Sequence, residues 1–380
     1  MAREQMVLLK NNGVLPLTSN HSPLTSKIMV MGPNAADSLV MWGIYFGQPS
    51  HTVTVLEGIE KKIGSVPYEQ ACDITDMTVT QHAIGGTSES RDGSTTLELK
   101  ETSRRTNTIA DVLQAAKDAE TIIFVGGISP NLEREEARKV NAPGFDKGDR
   151  TTIELPQVQR NILKALHDAG KKVVFVCCSG SAIGLTPEQE SCDAILQAWY
   201  AGEQGGHAVA DVLFGDYNPS GKLSVTFYKD DSQLPAFDDY TMKNRTYRYF
   251  RGEPLYPFGY GLSYTTFEVK NEKVKANSNG SYAVSVQVKN TGKRDGTEVV
   301  QVYVRRPADV EGPLKTLRAF ERVSLRAGES KTVSIPLPRN RFEVWDATTN
   351  TMRVVPGQYE VMVGTSSDDK DLRKMTVTLK

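Results

Sequence analysis

The sequence predicts an α/β unit built on a mostly parallel sheet flanked by helices, followed by an all-β sandwich. Three observations carry that reading. Up to about Tyr264, short apolar runs alternate with amphipathic helical stretches; from about Thr265, apolar and polar residues alternate between turn residues. The 380 residues are 39% hydrophobic and 24% charged, an ordinary globular balance. At roughly 100–200 residues per domain, that length gives two or three domains with a real core.

The lead-in MAREQMVLLKNNGVLPL is short in apolar residues and interrupted by charge, so no signal peptide is expected in it. No apolar stretch approaches the roughly 20 residues of a membrane span. Lys and Arg number 45 against 46 Asp and Glu, a net charge of −1. That balance argues against a protein held to nucleic acid or to a membrane surface by a positive field.

KIMVMGPNA reads as the first strand, ETIIFVGGISP as the second, KKVVFVCCSGSA as the third and DAILQAWYAGEQGG as the fourth. Between them, TIADVLQAAKDAE and LPQVQRNILKALHDAGK have helical periodicity, the latter with Val158, Ile162, Ala165 and Leu166 on one face. Strands apolar throughout and separated by helices imply a parallel sheet covered on both sides. Residues 84–106 are polar and turn-rich and read as a surface loop. In such sheets the working loops lie past the carboxyl ends of the strands, here after Val30, Val125, Val176 and Ala198.

Cys177 and Cys178 sit inside an apolar run, and four cysteines are too few for a disulfide scaffold at this length. Cys72 and Cys192 could pair only if the fold brought them together, and free, buried structural thiols are the expectation. No Cys/His spacing resembles a zinc site, and no metal is expected.

Beyond Thr265, SYAVSVQVKNTGKRDGTEVVQVYVRR, TVSIPLP, FEVWDA and GQYEVMVGTS predict an antiparallel sandwich of about 100 residues. The expected divisions are a linker and lead-in at 1–26, the α/β unit at 27–262 and the sandwich at 263–380.

The stretch richest in chemistry is GGISPNLEREEARKVNAPGFDKGDRTTIELPQVQ, a long loop between a buried strand and a helix. It holds Glu133, Glu135, Glu136, Asp146 and Asp149 among Arg134, Arg138 and Arg150. A carboxyl group there could be a general acid if burial or neighbours raised its pKa. The same residues also fit a solvated charge run whose Arg and Glu side chains pair at the surface. In the Gly-Asp-Arg triplet, Asp149 could cap the helix beginning near Pro156 or clamp Arg150. A second loop brings Trp42, Tyr45 and Phe46 between glycines, where aromatic faces can stack on sugar rings or pack beneath the loop. Ser179-Gly180-Ser181 follows a strand without an obvious base and reads as a turn or helix start. GEQGGHAVADVLFGDYNPSGKL has no phosphate-cradle spacing, which argues against a nucleotide site.

Taken together, VLLKNNGVLPL, WYAGEQGGHAVADVLFGDYNPSGKL, NRTYRYFRGEPLYPFGYGLSYTTF and VEGPLKTLRAFERVSLRAGESKTVSIPL resemble the carboxyl-terminal part of glycoside hydrolase family 3, the β-glucosidase and β-xylosidase family. The resemblance runs over nearly the whole chain. It implies an α/β sandwich domain followed by a fibronectin-III-like, immunoglobulin-like domain. Members usually begin with a (β/α)8 barrel of about 250 residues, which carries the catalytic Asp nucleophile. No segment before VLLKNNGVLPL is long enough to house it, so a separately encoded or removed barrel is an expected partner.

The family is retaining, with two carboxylates about 5–5.5 Å apart. In many members the second domain lends the acid/base from a loop reading Glu-x-Glu-Gly-x-Asp-Arg. LEREEARKVNAPGFDKGDR corresponds to it, with extra residues before Gly-Asp-Arg. The resemblance therefore implies a catalytic role for Glu135, ahead of Glu133 and then Glu136, and sugar contacts from Trp42 and Tyr45. It implies exo-hydrolysis of terminal β-linked xylose or glucose from an oligosaccharide or aryl glycoside, without a cofactor, in a secreted or periplasmic setting. The alternative is a non-catalytic carbohydrate-binding or interaction protein derived from the same domains.

Overall fold

A computed structural model describes residues 1–17, 27–43, 47, 49–75, 107–133, 141–277 and 280–380. The loop expected at 84–106 lies outside them. The described residues form two compact units, Met1–Tyr217 and Asn218–Lys380.

The first unit runs α1 (Ala2–Gln5), β1 (Val7–Asn11), β2 (Ile28–Met31), α2 (Val55–Ile63), β3 (Tyr68–Glu69), α3 (Ile109–Ala115) and β4 (Thr121–Gly127). It continues with β5 (Asn141–Ala142), β6 (Phe145–Asp146), β7 (Asp149–Arg150), α4 (Gln157–Asp168), β8 (Lys172–Cys178), α5 (Glu188–Ser191), β9 (Ala194–Gln197) and α6 (Gly205–Leu213). Six strands make one sheet in the order β1-β9-β8-β4-β2-β3. Neighbours from β9 to β3 are parallel, and β1 adds an antiparallel edge. All seven residues of β4 are buried, as are six of seven in β8. That is the burial expected of strands covered on both faces. All four cysteines are buried, and none forms a disulfide bond.

Helix α4 departs from the expected apolar stripe. Its buried residues are Gln159, Ile162, Leu163 and Leu166, while Val158 and Ala165 are only half-buried. The reason is a hydrogen-bonding need that hydrophobic periodicity does not register. The fully buried Gln159 amide donates to the carbonyls of Gly127 and Ile74, each at 2.7 Å, and accepts from the Gly127 N–H at 2.7 Å. It thus satisfies backbone groups where β4 leaves the ladder, which would otherwise be buried without partners. A Cβ at Gly126 would collide with the Gln159 side chain, which accounts for glycine there.

Helices α2 and α6 pack backbone to backbone. A Cβ added at Gly58 would overlap the Gly206 carbonyl, and one at Gly206 would overlap that of Thr54. Thr54 also caps α2, its side chain accepting from the Glu57 N–H at 3.1 Å. Gly206 of GEQGGH is therefore a helix-packing device.

The second unit contains α7 (Thr246–Tyr249) and the strands β10 (Phe267–Ala276), β11 (Tyr282–Asn290), β12 (Gly296–Arg305), β13 (Thr316–Leu325), β14 (Ser330–Leu337), β15 (Val344–Asp346), β16 (Thr351–Arg353), β17 (Gly357–Gly364) and β18 (Arg373–Leu379). Two antiparallel sheets, β10-β11-β14 and β13-β12-β17-β18, enclose one core. Val284, Val286 and Val288 of β11 meet Val300, Val302 and Val304 of β12 there, with Val361 and Val363 of β17. Their two-residue spacing is the alternation read in the sequence. Residues 218–262 fold with this unit: Phe227 pairs with Tyr256, and Tyr247 stacks on Phe258 at 4.2 Å and edge-on to Tyr303.

Gly58→Ala tests the close approach of α2 and α6. Greater helix propensity alone would stabilise the variant by about 1 kcal/mol. Overlap with a rigid carbonyl costs about 1–3 kcal/mol and is expected to win, lowering the urea midpoint. A midpoint equal to or above that of the parent would refute the packing account.

Candidate functional site

The site forms where the rule for parallel sheets puts it, at the carboxyl ends of β4, β8 and β9. After β4 the chain makes a tight turn, the N–H groups of Leu132 and Glu133 both donating to the Ser129 carbonyl, and this turn presents Glu133. After β8 comes Ser179-Gly180-Ser181. After β9, Trp199 adopts a left-handed backbone (φ 59°), an uncommon state for a bulky residue, immediately before Tyr200. The Trp199 indole is tied down by donation to the Gln5 carbonyl at 3.1 Å.

These three segments converge on the Glu133 carboxylate. One oxygen accepts from the Gly180 N–H at 3.0 Å and from the Tyr200 hydroxyl at 2.5 Å; the other accepts from the Ser181 hydroxyl. Burial, and next the Glu133 charge, push the Tyr200 phenol well above its ordinary value, so it remains an O–H donor throughout the neutral range. Gly180 leaves room for this contact, since a Cβ there would stand 2.9 Å from the Tyr200 ring and 3.0 Å from the carboxylate.

Ser181 has a second partner. Arg150, the arginine of Gly-Asp-Arg, donates to the Ser181 hydroxyl and to the Ala182 carbonyl, each at 2.8 Å, and to the Thr152 carbonyl at 3.2 Å. One serine hydroxyl thus joins Glu133, before the Glu-rich loop, to Arg150, at its return. Ser179 supports the turn from below: it donates to the Ser181 carbonyl and accepts from Gln197, both at 2.8 Å. The Ser-Gly-Ser stretch is a turn, as read from the sequence, and its polar groups hold the loop at both ends.

Glu135, Glu136 and Tyr45 lie outside the described residues, with Arg134, Arg138 and Phe46. Trp42 is half-buried and donates its indole N–H to Thr52 at 2.7 Å. Asp146 and Asp149 are exposed. The N-cap of α4 is Pro156 and no side chain caps it, so Asp149 does not. Ser181 and Tyr200 carry no motif of their own. Only their position just past the carboxyl ends of two apolar strands marks them.

A double-mutant cycle measures the clamp. Ser181→Ala and Glu133→Gln are each expected to cost about 1–3 kcal/mol in urea denaturation. Their coupling should be about 1 kcal/mol or more, because the two side chains share a bond. Strict additivity would show that the two do not act as a unit.

Comparison with known proteins agrees with this architecture. The family model for the glycosyl hydrolase family 3 C-terminal domain matches residues 6–264, and that for a fibronectin type III-like domain matches residues 298–367. The xylan 1,4-β-xylosidase of Xylanibacter ruminicola is 42% identical over 498 aligned residues, which take in 100% of this chain and 57% of the relative. The periplasmic β-glucosidase of Salmonella typhimurium is 35% identical over 390, taking in 97% of this chain and 48% of the relative. Among solved structures, the β-glucosidase of the same family from Bifidobacterium adolescentis superposes with a TM-score of 0.79 at 29% identity, over 100% of this chain and 52% of that one. The chain spans about half the length of the curated relatives it matches. Two matched domains in sequence order, over a sheet and sandwich of the corresponding kinds, place the chain in glycoside hydrolase family 3, within the C-terminal part of that family's proteins.

Proposed function

We propose that this chain supplies the general acid/base of a retaining, exo-acting β-glycosidase that removes terminal β-linked xylose or glucose, while a (β/α)8 barrel supplies the nucleophile. The observation that carries the reading is the clamp: Glu133 and Arg150 are fixed on one turn at the carboxyl edge of the sheet, and the Glu-rich loop runs between them. A loop bearing a catalytic acid needs ends that do not drift, because misplacement by about 1 Å can cost about 10²-fold in rate.

Within the loop we assign the acid to Glu135. The Glu133 carboxylate accepts three hydrogen bonds from its own domain, which supports a positioning role. Glu136 is the remaining candidate. Glu135 would protonate the leaving glycosidic oxygen and then, as a carboxylate, take a proton from the water that releases the sugar. Trp42 and Tyr45 would wall the sugar's path, with the Thr52 hydrogen bond setting the plane of the Trp42 ring. A periplasmic setting is the matching proposal for the complete protein, supported by the relative whose name states it.

Two measurements test this. The chain alone is expected to give no hydrolysis of aryl β-xyloside or aryl β-glucoside above background; turnover abolished by changing one of its own carboxylates would sink the division of labour. Joined to a family barrel, Glu135→Gln should lower kcat on alkyl xylosides by about 10²–10⁴-fold, with far less loss on aryl xylosides that have good leaving groups. Azide should then restore the aryl reaction. Equal loss on both substrate types would remove Glu135 from the role.

A further inference from the structure

Four arginines of the second unit surround a cavity of about 350 Å3, a size that suits a small ligand. Arg248 belongs to α7, Arg305 ends β12, Arg306 follows it, and Arg318 lies on the paired strand β13. The Nε atom of every one of them is buried and has no hydrogen-bond partner among the described residues. Their other contacts are few. Arg318 donates through Nη2 to the Glu343 carbonyl at 2.5 Å, Arg305 stands 4.0 Å from Glu360, and Arg248 lies 5.5 Å over the Tyr249 ring.

A buried guanidinium N–H without an acceptor is costly, and four around one cavity are not an accident of surface solvation. Asp309 and Glu311 also line the space, but four arginines leave it net positive. Burial, and next the Arg248 charge, hold the Arg318 guanidinium below its ordinary value, so positive charge is crowded here. The Nε and Nη hydrogens of arginine form a planar fork that matches the two oxygens of a carboxylate. Another part of the wall is aromatic: Tyr249, and Trp345 at 55% exposure. A bare inorganic anion has no use for such a wall, whereas the apolar face of a sugar ring does.

We propose that this cavity is a binding site for an acidic saccharide, its carboxylate held by the arginine forks and its ring laid against Trp345 and Tyr249. The site lies wholly within the second unit and is independent of the acid/base assignment.

Calorimetric titration of the 380-residue chain with D-glucuronate, D-glucose and inorganic sulfate tests it. Glucuronate is expected to bind at least about tenfold more tightly than either of the others, since it alone offers both fork acceptor and ring. Its affinity should fall as salt is raised. Arg248→Gln and Arg306→Gln should each weaken glucuronate by about tenfold or more. Trp345→Ala, at an exposed position, should weaken glucuronate and leave sulfate unchanged. Glucose binding as tightly as glucuronate would overturn the role of the arginines. Sulfate binding as tightly would reduce the site to a bare oxyanion pocket and overturn the saccharide. Absence of glucuronate binding, or binding indifferent to the arginine substitutions, would remove the site. Selectivity in the parent chain decides the matter even if an arginine variant fails to fold.

Discussion

The hydroxyl of Ser181 is the smallest group on which the organisation of the sheet edge turns. It accepts from Arg150 and donates to Glu133, so two residues distant in sequence are referred to one atom in the turn that follows β8. Everything around it serves to keep that atom still. Ser179 and Gln197 brace the turn, Gly180 leaves space, and Tyr200 closes the carboxylate from the neighbouring strand. The parallel sheet makes this possible, because it delivers the ends of β4, β8 and β9 side by side at a single edge. Once the ends of a loop are fixed, its length matters little: each doubling adds only about 0.6 kcal/mol of closure entropy.

The parallel strands were legible because burial on both faces leaves a continuous apolar run, and the sandwich strands because burial on one face leaves alternation. Gln159 was not legible. A polar residue on an apolar face looks like an error in the periodicity until its three backbone partners at Gly127 and Ile74 are known. Ser181 and Tyr200 were hidden for a related reason: their value comes from strands adjacent in space but separated in sequence by β5–β7 and α4 or by α5. Glu133 was legible as one of three glutamates, while its three hydrogen-bond partners required the fold. Trp42 was legible as an aromatic loop residue, while its bond to Thr52 required the fold. The aromatic segment 218–262 read as part of the α/β grammar because its stacking partners, such as Tyr303, lie on distant strands.

Several glycines are required by close approach of neighbouring atoms. At Gly58, Gly126, Gly180 and Gly206, a methyl group would meet backbone or a committed side chain. Hydrophobic core positions accept several residue types of similar volume. At these glycine positions a larger residue requires its neighbour to shift, most severely where that neighbour is backbone, at Gly58 and Gly206. The same holds at Gly259, where a Cβ would collide with Gln301, the buried amide that bonds the Gly259 and Thr365 carbonyls.

The four cysteines are all buried, and none forms a disulfide bond. Burial, and next the charge of Asp37, push the Cys178 thiol up to about 12, and burial drives Cys177 higher than its ordinary value as well. The attacking species in thiol–disulfide exchange is the thiolate, and here it is both scarce and out of reach. Cys177 and Cys178 are therefore poor partners in thiol–disulfide exchange while the chain is folded. The fold is held together without a disulfide bond, and burial keeps these strand cysteines as packing residues.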